Sequence, residues 1–377
     1  MIYLDNSATT RVCPEAVAAM TEAMTEDFFN PSALYAPSAK IKVRVDAVRA
    51  LLLKELNCPG GQVIFTSGGT ESDNLAVMGH LSGLRQGRVL YTAGEHPAVR
   101  EAVRAVPYVT AEEIPLTGEG LPDLEALAEL LRDDVKLICV MQVNNETGAI
   151  SPLKEIAAIR DRLCPEAALH VDGVQGFLRV PMAMDRLGAD SYALSAHKIR
   201  GPKGMGALVA RSGFRLAPRI YGGGQEKGLR SGTENIPGIL GLGAAVNAYP
   251  RDNDMAKVKA RLYERLMGAV PGAKVNGPLP GSPAAAPHIL NMSLPPVRSE
   301  TMVHALETAG IYIGVGSACG SRKQKISPVL KAMHVRPALA ESALRFSLSP
   351  DNTLEEMDEA AEEIARQHAL WAPFQRR

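Results

Sequence analysis

The stretch ALHVDGVQGFLRVPMAMDRLGADSYALSAHK, residues 168–198, decides the fold. It contains two short apolar runs, ALHVDG (168–173) and SYALSA (191–196), each bounded by turn residues, as strands covered on both faces are. Asp172 closes the first run and Lys198 follows the second, 26 residues apart, with room for a crossover between them. QVIFTS (62–67), RVLYTA (88–93) and VKLICVMQV (135–143) are runs of the same kind. Helix-period segments alternate with them. Ile41, Val45, Val48, Leu52 and Leu56 fall on one helical face, and SPLKEIAAIRDRL (151–163) offers Ser151 as a cap and Pro152 at the first helical position. The alternation predicts an α/β fold with a mainly parallel sheet, whose ligands bind in the crevice outside the carboxyl ends of the strands. Asp172 and Lys198 then face the same crevice.

The chain has 377 residues, more than a single core usually supports, so a large domain and a smaller one are expected. The predicted division is a large domain over 12–249 and a small α+β domain made of 1–11 and 250–377. From about residue 250 the pattern shifts to a long helix, a Pro- and Gly-rich stretch (271–287), short strands around HILNMSL and GIYIGVG, and a last helix. Thr353 and Glu356 form a capping box for that helix, with Leu354, Met357, Ala361 and Ile364 as its buried stripe. Lys+Arg and Asp+Glu balance at 41 each, which gives no footprint for nucleic acid or membrane and suits a small uncharged or zwitterionic substrate. No apolar run approaches the ~20 residues of a membrane span, and MIYLDNSATT lacks the features of a signal peptide, so a cytoplasmic location is expected. The five cysteines, Cys13, Cys58, Cys139, Cys164 and Cys319, are widely spaced with no C-x-x-C pair, which argues against a disulfide framework or a zinc ribbon.

Five places could carry chemistry. Lys198, at a strand end before the glycine-rich GPKGMG, is either a solvated loop residue or an amine wanted for a Schiff base with an aldehyde cofactor. Asp172 is either a helix cap or the carboxylate that pyridoxal phosphate needs at its ring nitrogen. TSGGTESDN (66–74) leaves a strand and enters a helix, so its amides can cradle a phosphate, although Gly-Gly-Thr is also common in turns. The glycine spacing of GILGLGAAV resembles a nucleotide fingerprint and is equally explained by helix packing. Cys319 sits in IGVGSACGSRKQK (313–325) among small residues and ahead of Arg322, Lys323 and Lys325, a setting that favours the thiolate. The other four cysteines lie in apolar, turn or helix-start settings and read as inert.

Read together, YLDNSATT, FTSGGTESDN, GEHPAV, NNETGA, HVDGVQ, SAHKIRGPKG, GGGQEKGLRSGTENI, GSAC and RFS occur in the order found in cysteine desulfurases of the nitrogen-fixation and iron-sulfur-cluster type, and the chain resembles that family from residue 2 to about 365. The resemblance implies an aspartate-aminotransferase-like fold and pyridoxal 5'-phosphate bound at a homodimer interface. It implies that Lys198 holds the cofactor, that Asp172 pairs with the pyridine nitrogen and Gln175 with the ring hydroxyl, and that His96 stacks on the ring. Gly69, Thr70, Ser195 and His197 would bind the phosphate, joined by Thr233 from the partner subunit, while Asn145 and Arg345 would hold the substrate carboxylate. Cys319 would attack the sulfur of L-cysteine, keep it as a persulfide for a sulfur-acceptor protein (a cluster scaffold or a thiolation enzyme), and L-alanine would leave. No metal is implied. Selenocysteine lyase, or another class V aminotransferase or lyase, keeps the cofactor and changes the chemistry; transamination gives Cys319 no role. A non-catalytic sulfur carrier or scaffold would keep the fold without turnover. The chain departs from the family at Gly69, where alanine is usual, at Gly320, where a hydroxyl residue is frequent, and at Phe29 and Tyr35, where a glycine and a histidine are common.

Overall fold

The computed structural model describes residues 1–316 and 326–374. In chain order its strands are β1 (Ile2–Leu4), β2 (Gln62–Thr66), β3 (Gly87–Thr92), β4 (Val109–Ile114), β5 (Val135–Met141), β6 (Ala168–Asp172), β7 (Ser191–Ser195), β8 (Gly206–Ala210), β9 (Lys274–Val275), β10 (Ile289–Ser293), β11 (Ile311–Ile313) and β12 (Ala343–Ser347). The first four helices are α1 (Pro14–Thr25), α2 (Ala36–Glu55), α3 (Gly69–His80) and α4 (Pro97–Arg104).

Seven strands form one sheet in the order β2-β8-β7-β6-β5-β3-β4. All neighbours are parallel except β8, which runs against both β2 and β7. The mainly parallel sheet expected from the alternation is present, and each expected strand lies within two residues of its predicted bounds. Every residue of β6 and β7 is buried, the polar His170, Asp172, Ser191 and Ser195 included, as in strands covered on both faces. The register pairs Met141 with Asp172 and Asp172 with Ala193, so the carboxyl ends of β5, β6 and β7 form one level rim.

Helices pack closely on this sheet where glycines allow it. α1 and α2 lie against the helix Ile236–Ala248; a Cβ on Gly241 would come within 2.7 Å of Met20 Cγ, and one on Gly243 within 2.6 Å of Val48 Cγ2. The glycine spacing of GILGLGAAV therefore serves helix packing. Ser151 does not cap the helix Leu153–Leu163 as its position suggested. Its hydroxyl donates instead to the carbonyl of Met141 at 2.6 Å, because the chain is still leaving the β5 rim at that point.

A second hydrophobic core gathers Leu4, Leu262, Leu266, Met292, Leu306, Phe346, Met357 and Ile364. It lies between the antiparallel trio β12-β10-β9, the parallel pair β1-β11, and the helices Met255–Ala269, Ser299–Thr308 and Leu354–Trp371. The capping box at Thr353 and Glu356 forms as the sequence indicated. No described helix is long and apolar enough to cross a membrane.

Leu52 is fully buried in the larger core, whereas Thr353 contributes a cap at an exposed helix start. Leu52→Ala is expected to cost about 2–5 kcal/mol, against about 1 kcal/mol for Thr353→Ala. Urea unfolding of both variants checks the ordering.

Candidate functional site

A cleft of about 170 Å³ opens at the rim formed by β5, β6 and β7. Asp172 ends β6 and Ser195 ends β7, and His197 and Lys198 follow on one tight turn; the start of α3 brings Gly69 and Thr70. The loop after β3 supplies His96, the loop after β5 supplies Asn145, the turn after β6 supplies Gln175, and β12 sends Arg345 across from the second core. The structure thus brings together all the candidate residues except two. Thr233 is exposed in a neighbouring hollow beside Ser67 and Gly204, and Cys319 lies outside the described residues.

Each side chain is held for an identifiable reason. Lys198 Nζ donates to the carbonyls of Ser7 and, at 2.9 Å, Ala8, both on the N-terminal arm. Asp172 accepts the N–H of Val174 at 2.9 Å; burial raises its pKa, opposed by the nearby His96, that N–H and Lys198. Gln175 donates to the Ser7 carbonyl at 3.0 Å and accepts from Arg179 at 3.1 Å. His96 is the N-cap of α4: its Nδ1 accepts the Ala98 N–H at 3.1 Å, so Nε2 is the nitrogen left for the cleft. His197 pairs through Nδ1 with Thr9 Oγ1 at 3.1 Å, and burial, with the charge of Lys198 beside it, lowers its pKa to about 4, so it is a neutral donor at pH 7. Arg345 is 1% exposed; it donates to the carbonyls of Asn145 and Gly316 and, at 2.7 Å, to Asp5.

Several groups around the cleft carry no role in the sequence reading. Asp73 is buried and its Oδ1 lies 3.2 Å from His170 Nε2, while His170 Nδ1 meets Ser191 Oγ at 2.9 Å. Burial holds His170 down to about 3, so it is neutral, and lifts Asp73 well above the usual carboxyl range, with the charges of Asp172 and Glu95 acting in the same direction. Glu95 accepts from Thr92 Oγ1 and from the Met141 N–H, and burial raises it to about 8. Glu146 takes the Ser327 hydroxyl at 2.5 Å and is raised by burial. These residues sit inside quoted motifs, yet a strand-end or loop carboxyl has no sequence mark that separates a buried acid from a solvated one.

The donor set suits a phosphorylated aromatic aldehyde. α3 begins without a side-chain cap, so its first N–H groups are available to an anion, and the neutral His197 and Ser195 stand beside them. A Cβ on Gly69 would come within 2.6 Å of Val174 Cγ2, so the glycine leaves room for that side chain at the edge of the cleft. Ser7 Oγ faces the cleft, buried and without a partner among the described residues. Asp172 could serve a ring nitrogen and Lys198 could hold the aldehyde carbon.

Fold and site together define a class, and the comparisons agree: the family model described as aminotransferase class-V matches residues 2–359, so the chain belongs to that family. A cysteine desulfurase of Cereibacter sphaeroides is 38% identical over 372 residues, covering 96% of this chain and 94% of the relative. Among solved structures, a NifS-like protein superposes with a TM-score of 0.89 at 31% identity, over 98% of this chain and 99% of that one. A structure described as SspA in complex with cysteine superposes at 0.82 with 27% identity, over 94% of this chain and all (100%) of that one. Within the class-V family the chain belongs to the cysteine desulfurases.

The raised pKa of Glu95 carries a pH signature. Between an unfolded value of about 4.3 and the folded value, the folded chain holds a proton that the unfolded chain releases. The associated stability is present below the unfolded pKa and is lost as pH rises through about 8. Glu95→Gln mimics the protonated acid, keeping an acceptor for Thr92 and Met141. The variant is expected to gain stability over the wild type as pH rises from 5 to 8, by up to about 1.4 kcal/mol per unit. Thermal melts across that range test it.

Proposed function

We propose that this chain is a pyridoxal-phosphate-dependent cysteine desulfurase that takes the sulfur of L-cysteine onto Cys319 and releases L-alanine. The observation that carries the reading is the convergence of Asp172, Lys198, the uncapped start of α3 and Arg345 on one cleft. The neighbour solved in complex with cysteine supports the substrate class. When bound, the cofactor supplies an electron sink that stabilises negative charge on the substrate carbons and weakens the bond to sulfur.

The chain's own residues do the rest. Lys198 would tether the cofactor through its amine and would move the proton at the substrate Cα. Asp172 would hold the ring nitrogen protonated, His96 would pack on the ring, and Gln175 would address the ring hydroxyl. Gly69, Thr70, Ser195 and His197 hold the phosphate, with Thr233 reaching it from the second copy of a homodimer. Asn145 and Arg345 fix the substrate carboxylate, which aims the sulfur and excludes water from the reacting face. A thiolate at Cys319 forms a new bond to the substrate sulfur as the carbon–sulfur bond breaks; that electron pair stays on the carbon side, where proton addition completes alanine. The four described cysteines are all buried, and burial raises each of their pKa values, so none competes as the nucleophile. We read the two hydrophobic cores as domains over 12–249 and over 1–11 with 250–377, the second bearing Cys319. The persulfide would pass to an acceptor protein in the cytoplasm.

Incubation with L-cysteine and a thiol is expected to yield sulfide and alanine in equal amounts; a keto acid instead would point to transamination. Lys198→Ala is expected to lose the visible absorbance of covalently held cofactor and at least a thousandfold in rate. Cys319→Ala is expected to stay yellow and form no persulfide by mass spectrometry, and undiminished sulfide release from it would remove the assigned role.

A further inference from the structure

The proposed carboxylate receptor is already in contact with a carboxylate of its own chain. A guanidinium has five N–H hydrogens. Arg345 spends both on Nη1 on backbone carbonyls, of Asn145 at 3.1 Å and of Gly316 at 2.8 Å, and Nη2 donates to Asp5 Oδ1 at 2.7 Å. Its Nε is buried and has no partner among the described residues. What remains is the Nε hydrogen and the second hydrogen on Nη2. Carboxylates bind guanidinium most strongly through two parallel bonds. Asp5 makes one.

The pair is fitted to its surroundings. A Cβ on Gly314 would come within 2.6 Å of Asp5 Oδ1, 2.8 Å of Arg345 Nη2 and 3.1 Å of Nε, so both side chains lie across a glycine that leaves room for them. The two residues differ in freedom. The Arg345 side chain is 1% exposed, while that of Asp5 is 22% exposed and can turn toward water without unpacking the core.

We infer that Asp5 is the internal counter-ion of Arg345, and that an amino-acid carboxylate binds by taking the guanidinium edge from Asp5, which makes Asp5 a determinant of affinity and of selectivity for carboxylates. The inference rests on the reading of Arg345 as the carboxylate receptor. Ligand affinity is then a difference: the bidentate pair gained, less the Asp5 pair lost. A neutral amide cannot collect the gain and leaves Asp5 in place. Without the Asp5 charge, Arg345 stands buried and uncompensated in the free protein, and an incoming carboxylate restores the balance. Atoms and charge are conserved in the exchange: one carboxylate replaces another, and no proton moves.

The test is calorimetric titration of the holoenzyme with L-alanine, which has the carboxylate and amine but no sulfur to react, and with alaninamide as the neutral control. Asp5→Asn is expected to bind L-alanine at least tenfold more tightly than the wild type and to bind alaninamide unchanged. Arg345→Gln is expected to weaken L-alanine at least tenfold. Unchanged or weaker L-alanine binding by Asp5→Asn, with Arg345→Gln still weakened, overturns the inference alone; unaltered binding by Arg345→Gln removes the reading beneath it. Should Asp5→Asn not fold, crystals of the wild-type holoenzyme with and without L-alanine decide. Separation of Asp5 from Arg345 on binding supports the exchange, and an intact Asp5–Arg345 bond beside bound ligand overturns it.

Discussion

The site depends on a strap of backbone, residues 5 to 10, laid across the strand ends. Its Ser7 and Ala8 carbonyls receive the Lys198 amine, and the Ser7 carbonyl also takes the Gln175 amide. The strap is itself held from both sides. Asn6 donates twice to the Ser347 carbonyl and Ser7 N–H donates to the Ser347 hydroxyl, while Thr10 donates to the His197 carbonyl through both its N–H and its hydroxyl. One end is thus tied to β12 and the other to the turn that carries Lys198. Because β12 also bears Arg345, the strap fixes the spacing between the residue proposed to hold the cofactor and the residue proposed to hold the substrate carboxylate. A shift of about 1 Å in such a spacing is enough to lose most of the benefit of orientation.

Behind the strap, the electrostatics are set by an excess of buried acid. Asp73, Glu95 and Asp172 are all buried close together, and the charge of Asp172 raises both of the others. Three neighbouring carboxylates cannot all ionise in such a place. The structure distinguishes among them by their partners. Asp73 faces a neutral histidine, which offers no charge to stabilise an anion. Glu95 receives a hydroxyl and one N–H, but its Oε2 is buried without a partner. Asp172 alone has an N–H together with the favourable influence of His96 and Lys198. Of the three, the carboxyl at the end of β6 therefore has the surroundings that most favour the anion, where the proposed function needs a partner for a ring nitrogen. A pyridinium there would strengthen the bias.

The parts legible in the sequence were those with a periodic or compositional mark. β5, β6 and β7 were legible because each is a short, largely apolar run bounded by turn residues, the mark of a strand buried on both faces. Two strands of the same sheet gave no such mark. β4, VTAEEI, is an edge strand whose exposed positions carry Thr and Glu, and β8, GALVA, emerges from a glycine-rich turn and runs antiparallel where the alternation implies parallel. The residues of the cleft were legible through motif order, not through local chemistry. Asp5, Ser7, Asp73 and Glu95 lay in the same motifs without a visible role, because what they do depends on burial and on partners up to 340 residues away. Gly314 is a further case: its value is the absence of a Cβ between two side chains that meet only in the folded state.

The buried acids also bear on which thiol can react. Cys139 sits in the middle of β5, two residues before the rim, and is the described cysteine nearest in sequence to the cleft's β5 edge. Burial raises its pKa well above the usual thiol range, and Glu95 and Asp73 push in the same direction. Any negative charge that leaks onto those carboxyls makes the Cys139 thiolate still less accessible. Burial, the larger influence, therefore keeps the neighbouring sulfur protonated and unreactive. A desulfurase needs that separation: a second nucleophilic thiol beside the cofactor would divert sulfur into a position from which no acceptor could collect it. Sulfur chemistry on this fold is accordingly a matter of excluding thiolates from the sheet as much as of supplying one from the segment that bears Cys319.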